Sequence, residues 1–273
     1  MTKGSNRRDH YLPQGYLRGF IDPARRHLEQ PLWHFDIAQG RWSERSTKEV
    51  GCRYGLYDYA NAAEGAETAD AAFSELENSY PPIRERLISS NFENWTDHRD
   101  LLLRFFQMMR ARSLLFLDRM HQGGRNLRAL VVEEISLDRR SPKVQSLTPS
   151  PPSDAFVKNR AIVEMRAEIE KGPGWLNNFN WALRRTHSPA DPFIVGENPI
   201  VAAGTPSTLE DAIGNPDVLL FLPLCWQALL IGSPQFFAVE TDEFDPHDMR
   251  KIRRMYRECS ERFLVSPRRL DGL

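Results

Sequence analysis

The sequence predicts an α+β fold, with a mostly helical layer around a long buried helix packed on a small, mainly antiparallel sheet. Three observations carry this. Residues 97–121 are apolar on most faces, from Leu101, Leu102 and Leu103 through Phe105, Phe106, Met108 and Met109 to Leu114–Leu117, as expected of a helix buried all round. Leu32-Trp33-His34-Phe35-Asp36-Ile37 alternates, Gln39-Gly40 turns, and Arg41-Trp42-Ser43 returns, which is a hairpin over 32–46. Val218–Leu224 and Trp226–Gly232 are two short apolar runs of the kind that neighbouring buried strands show. The whole chain, 1–273, reads as one domain.

The first element lies within His10-Tyr11-Leu12-Pro13-Gln14-Gly15-Tyr16-Leu17-Arg18-Gly19-Phe20. Pro13 suits a first helical position, so a short helix is predicted from 13 to 20. Leu17 and Phe20 share one face and Gln14 and Arg18 another. Gly15 and Gly19 weaken that helix by about 1 kcal/mol each, which makes sense where another backbone packs closely. His10 and Tyr11 precede the helix N-terminus, whose partial positive charge favours a neutral imidazole. They either brace the helix end or offer a base near neutral pH.

After the hairpin, Tyr54, Tyr57 and Tyr59 fall on an irregular stretch, more in keeping with a core rim than with base stacking beside Arg53. Phe73, Leu76, Tyr80, Ile83 and Leu87 form a helical stripe, with Glu64, Glu67 and Asp70 at its start. Pro81-Pro82 is expected to kink or split that helix. Thr96 or Asp97 caps the long helix 97–121, and Gly123-Gly124 ends it. On this helix Arg104, Gln107, Ala111 and Asp118 line up, while Arg110 and Arg112 diverge. A buried arginine there needs a partner; an open one could meet an anion.

Residues 138–153, rich in Ser and Pro, read as a surface loop within the domain. Ser153 caps a helix to about Lys171, closed by Gly172-Pro173-Gly174. A second aromatic helix is expected over Trp175, Leu176, Phe179, Trp181 and Leu183. Strands follow at 192–196, 200–203, 218–224 and 226–232. Asp245-Pro246 then opens a last helix with Met249, Ile252, Tyr256, Cys259 and Phe263 on one side, and Leu264-Val265 closes the sheet.

Composition narrows the function. Basic and acidic residues nearly cancel, 36 against 37, which argues against a broad nucleic-acid surface and leaves room for a local basic cleft. Three widely spaced cysteines without a CxxC support neither a disulfide framework nor a zinc ribbon. No signal-peptide run opens the sequence and no stretch approaches a membrane span, so a soluble, cytoplasmic protein without a membrane partner is expected. Seven histidines lack ligand spacing, and GxSxG, Walker A and GxGxxG are absent.

Two motifs remain, the His10–Phe20 segment and Glu197-Asn198-Pro199 after a strand. Together they resemble a bacterial family known only as a domain of unknown function, number 4238. Its members open with an HYxPQxYLxxF-like segment and later carry a DNP-like motif. The resemblance spans roughly residues 8 to 265, and Glu197 stands where aspartate is typical. It implies no activity, but it strengthens the pairing of the two motifs as a site.

Two readings follow. In the first, His10, Tyr11 and Glu197 are catalytic and Gln14, Arg18, Asn198 and Arg110 bind substrate, for hydrolysis or transfer at a phosphate ester or nucleic acid. Glu197 would orient His10, or hold a divalent metal ion with Asn198. In the second, the chain is a binding or regulatory protein of a defence or toxin-like module. The His10 segment is then a structural clasp, and Glu197-Asn198-Pro199 is a turn. The partner is left open, with a phosphate-containing ligand or a nucleic acid suggested by the catalytic reading.

Overall fold

A computed structural model describes residues 8–60, 73–123, 153–186, 188–203, 215–235 and 246–272. The predicted loop residues 138–152, Glu64, Glu67, Asp70 and Gly124 lie outside them. In chain order the elements are β1 (Arg8–His10), α1 (Gln14–Leu17), β2 (Leu32–Asp36), β3 (Arg41–Arg45), β4 (Cys52–Tyr54), α2 (Ser74–Ser89) and α3 (Arg99–Arg112). They continue with α4 (114–123), α5 (Asp154–Glu170), β5 (Asn180–Arg185), β6 (Val195–Gly196), β7 (Val201–Ala203), β8 (Leu219–Cys225) and β9 (Ala228–Ser233). α6 (Pro246–Glu258) and β10 (Phe263–Ser266) complete the order. The fold is α+β, as the sequence predicts.

The strands form three antiparallel sheets among the described residues: β1-β4, β3-β2-β10-β6 and β5-β9-β8-β7. The predicted hairpin is β2-β3, in register from Leu32 opposite Arg45 to Asp36 opposite Arg41. The apolar runs of β8 and β9 have a plain cause. Leu220, Leu222, Ala228 and Leu230 face one core, with α3 and the His10 segment, while Phe221, Leu229 and Ile231 face another, with α6. A strand buried on both faces has no polar positions to alternate with.

Three fully buried tyrosines donate their hydroxyls to backbone carbonyls of β8. The β8-β9 register shifts between Pro223 and Cys225, as a bulge does. Tyr16 donates its hydroxyl to the Pro223 carbonyl at 2.7 Å, and Tyr80 donates to that of Leu224. Tyr256 reaches the carbonyls of Phe221 at 2.9 Å and Pro199 at 3.2 Å. Burial without these bonds would cost about 1–3 kcal/mol per group.

Three expectations need correcting. The stretch over Trp175–Leu183 is not a second helix. A 3-10 turn, Gly174–Asn178, leads into β5, which pairs with β9 from Asn180 opposite Ser233 to Arg185 opposite Ala228. The spacing of Phe179, Trp181 and Leu183 is also the period of a strand, and pairing with β9 decides between the two. Gly232 makes the fit possible, since a Cβ there would lie 2.6 Å from the Trp181 ring. The long helix 97–121 is broken at Ser113, whose extended backbone ends α3 and whose hydroxyl accepts the Phe116 N–H at 3.2 Å to cap α4. Its start is also later: Trp95–His98 is a 3-10 turn. Finally, of the two outcomes expected at Pro81-Pro82, the split does not occur: α2 runs from Ser74 to Ser89 with both prolines inside it. The Pro81 ring fits because residue 15 is glycine; a Cβ there would sit 2.8 Å from Pro81 Cγ.

Gly51 marks the point where the N-terminal segment turns in. Its carbonyl accepts both Tyr11 N–H (2.8 Å) and Leu12 N–H (3.2 Å), its φ is +63°, and a Cβ would approach Leu12 Cβ to 2.7 Å. Gly51→Ala is therefore expected to destabilise the protein by about 1–3 kcal/mol. Urea unfolding checks this; a midpoint equal to that of the parent protein would refute it.

Candidate functional site

The opening segment is held from below by Arg112, near the C-terminal end of α3. This side chain is 1% exposed. Its Nε donates to the Tyr57 hydroxyl at 3.3 Å, its Nη1 pairs with Glu77, and its Nη2 donates to the backbone carbonyl of His10. The guanidinium also lies 4.2 Å from the Phe73 ring centroid and 5.2 Å from that of Tyr57. Burial alone would lower the pKa of Arg112, but Tyr57 and Glu77 outweigh it and the net shift is upward. Burial likewise pushes the Tyr57 hydroxyl up to about 12.

His10 thus contributes its main chain to this junction. Its imidazole is half-buried against the backbone of Thr47 and Lys48, and its Nε2 makes no hydrogen bond. Burial lowers its pKa, with the Arg112 charge acting the same way. Gln14, half-buried, accepts the Arg18 N–H through its backbone carbonyl. Leu17 and Phe20 enter the core as their spacing predicts. The glycines do mark a close approach: Gly15 meets Pro81, and a Cβ on Gly19 would lie 3.1 Å from both Arg84 Cδ and Cys225 Cβ.

The second motif is committed to the backbone. Glu197, 6% exposed, accepts the N–H groups of Glu261, Arg262 and Phe263 at 2.5 to 3.3 Å. It ties the turn before β10 to the end of β6. No hydrogen bond joins it to His10. Of the first motif, Tyr11 is the residue it meets electrostatically. Burial raises the Tyr11 pKa, and Arg262 and Glu197 act on it in opposite directions. Asn198 donates to the Cys259 carbonyl at 3.4 Å and shares a shallow recess with Arg110 and Arg119. Arg110 there pairs with Glu168 at 3.2 Å and stacks near Trp175 and Phe116. Among the described residues no group of three or more His, Cys, Asp or Glu side chains is placed to hold a metal ion.

Apart from His10 and Gln14, the predicted residues divide among three places. Tyr11 and Glu197 flank Arg262, Arg110 and Asn198 share the shallow recess, and Arg18 lies apart on a cleft of about 610 Å³. Its walls come from α2 (Pro81, Pro82, Arg84, Glu85), from the chain after α1 (Arg18, Arg26, Glu29) and from the turn after β3 (Ser46, Thr47). Thr47 thus has the cleft on one side and His10 on the other. Arg84 is a fixed part of the wall, 4% exposed, donating to the Gly15 carbonyl and paired with Glu85 at 2.7 Å. Arg18 and Arg26 are exposed, and neither has a carboxylate within salt-bridge distance among the described residues. Sequence reasoning found Arg18 but missed Arg26, Arg84 and Thr47, which carry no motif. Arg112 had a signal, an arginine on a helix apolar on most faces, where a buried cation needs a partner.

The model of a family described as "Protein of unknown function (DUF4238)" matches residues 8–269. No curated protein and no solved structure matches the chain.

Two outcomes follow from this geometry. Arg112→Ala strands Glu77 and the His10 carbonyl and should cost about 3–5 kcal/mol, whereas His10→Ala keeps the carbonyl and should cost about 1 kcal/mol. Denaturant melts of the two variants check the order; equal losses would contradict it. The second outcome concerns pH. Burial lowers the pKa of both His10 and His34 from 6.5, so the unfolded chain binds more protons just below that pH. Their stabilising effect is complete above pH 6.5 and is lost as the pH falls through 6.5 towards the folded values. Thermal melts from about pH 7 to about pH 5 should show falling Tm, with a shallower slope in the double variant His10→Gln/His34→Gln.

Proposed function

The chain belongs to the DUF4238 family, and we propose that this member is a binding or regulatory protein that takes a phosphate-bearing anion in the cleft beside Arg18. The observation that carries the reading is the pair of exposed guanidiniums, Arg18 and Arg26, at a cleft of about 610 Å³ with no carboxylate bound to either among the described residues. Small-ligand sites are commonly about 300–1,000 Å³, with a few convergent polar groups on apolar walls. Ser46 and Thr47 supply hydroxyls, while Ile21, Pro31 and the two prolines of α2 supply the apolar part. Arginine presents paired donors that match a phosphate.

The His10 segment serves this reading as a clasp, because its firm contacts are backbone ones. The competing chemistry, hydrolysis at a phosphate ester by His10, Tyr11 and Glu197, has less behind it: the Glu197 oxygens already accept three amides. We set the protein in the cytoplasm, where free cysteines such as Cys52, Cys225 and Cys259 stay reduced.

Calorimetric titration with inorganic phosphate, pyrophosphate and nucleoside triphosphates tests the proposal. At least one should bind, and Arg18→Ala and Arg26→Ala should each weaken it about tenfold or more without lowering the Tm of the free protein. Binding unaffected by both substitutions, or no binding by any of the three probes, would overturn it. Conversion of the bound nucleotide, lost in His10→Ala and Glu197→Ala, would favour the catalytic reading instead.

A further inference from the structure

The charge balance of the chain conceals a local excess. The formal charge is −1 overall, yet residues 246–272 hold eight basic side chains and four acidic ones. Most of the basic residues lie on α6. Met249, Ile252 and Tyr256 bury one face of this helix, and Arg253 roots its margin, with Nε on the Pro192 carbonyl at 3.1 Å and Nη2 on Asp191 at 3.2 Å. The outer face carries Arg250, Lys251 and Arg254, all exposed, with Arg257 one turn beyond Arg254 and half-buried.

Some of these charges are spent locally. Lys251 pairs with Asp248 at 3.1 Å and Arg254 with Glu258 at 2.8 Å, both on the exposed surface where such pairs are weak. Arg250 and Arg268 have no carboxylate within salt-bridge distance among the described residues. Arg268, from the turn after β10, and Arg250, from the first turns of α6, both lie near enough to Arg253 to lower its pKa, after burial as the main cause. Two separate elements thus each place an exposed arginine within electrostatic reach of Arg253.

We propose that the exposed face of α6 carrying Arg250 and Arg254, together with Arg268 from the turn after β10, binds the phosphate backbone of double-stranded nucleic acid. The kind of partner follows from what surrounds the charges. Protein interfaces are anchored by buried aromatic and apolar side chains, and none of the exposed large hydrophobic residues of the described chain lies within 246–272. Single strands are held by stacking on exposed aromatic rings, and residues 246–272 carry none. A duplex offers a charge about every 1.7 Å along its axis and needs only placed cations. Seven of the eight basic residues are arginines, which match phosphate oxygens two at a time. A helix fixed by its own core contacts presents them without further ordering.

The test is fluorescence anisotropy of the full chain with a labelled duplex of about 20 base pairs and mixed sequence, from about 50 to about 200 mM salt. The expected result is saturable binding that weakens steeply with salt. The triple variant Arg250→Ala/Arg254→Ala/Arg268→Ala, with unchanged circular dichroism, should bind at least about tenfold more weakly at the lowest salt. Its log–log salt slope should be shallower by about 3, close to one per phosphate contact removed. The matching triple lysine variant should keep the slope. Arg18→Ala should leave duplex affinity unchanged, which separates this surface from the cleft. Absence of saturable binding at the lowest salt, an unaffected triple alanine variant, equal affinity for a poly-glutamate peptide, or loss of binding in Arg18→Ala would each overturn the proposal.

Discussion

A guanidinium cut off from water joins the N-terminal segment to the helices. Arg112 reaches Glu77 on α2, the Tyr57 hydroxyl and the main chain of His10, and its flat faces lie against Phe73 and Tyr57. A charge in that position is tolerable only with every donor directed at an acceptor. The requirement fixes more than the arginine. It sets where β1 leaves the sheet, because the His10 carbonyl must point inward, and which turn of α2 faces α3. Asp9 adds to the junction by accepting the Tyr57 N–H at 3.1 Å.

From that junction the segment continues over α2 onto β8. Gly15 and Gly19 let it approach Pro81, Arg84 and Cys225, and Trp226 N–H closes onto the Gly19 carbonyl at 3.1 Å. The buried side of the segment thus spans helices and sheet, while Arg18, on the other side, stays in the open. The cleft beside it is a by-product of this docking. Its walls are the outer surface of α2 and the chain on either side of the β2-β3 hairpin, elements held together by contacts beneath them. A binding surface on so fixed a base has little ordering to do when a ligand arrives.

The Glu197 motif has a parallel role at the other end of the chain. Its carboxylate collects three amides of the turn leading into β10, which is the strand that links the hairpin to β6. An aspartate at that position would be one methylene shorter, and the turn would have to come closer to meet it. The two motifs that dominate the sequence therefore both spend their strongest interactions on backbone, each securing one border of the sheets.

Much of this architecture was legible in the sequence, because local chemistry determines it. Pro13 and the apolar spacing of Leu17 and Phe20 place the first helix, Gln39-Gly40 places the hairpin turn, Ser153 caps α5, and doubly apolar runs reveal strands buried on both faces. Where two periods fit one short stretch, as at Phe179, Trp181 and Leu183, only the pairing of β5 with β9 could choose. Ser113 likewise divides a helix whose hydrophobicity is continuous across it. The sequence by itself determined that His10, Arg18 and Glu197 sit in polar segments bounding a core. Tertiary structure decided what they face: a carbonyl pinned by Arg112, an open cleft, and three backbone amides. The reason is that side-chain identity states which bonds a group can make, whereas the partner that makes them lies some sixty to a hundred residues away and arrives only through packing.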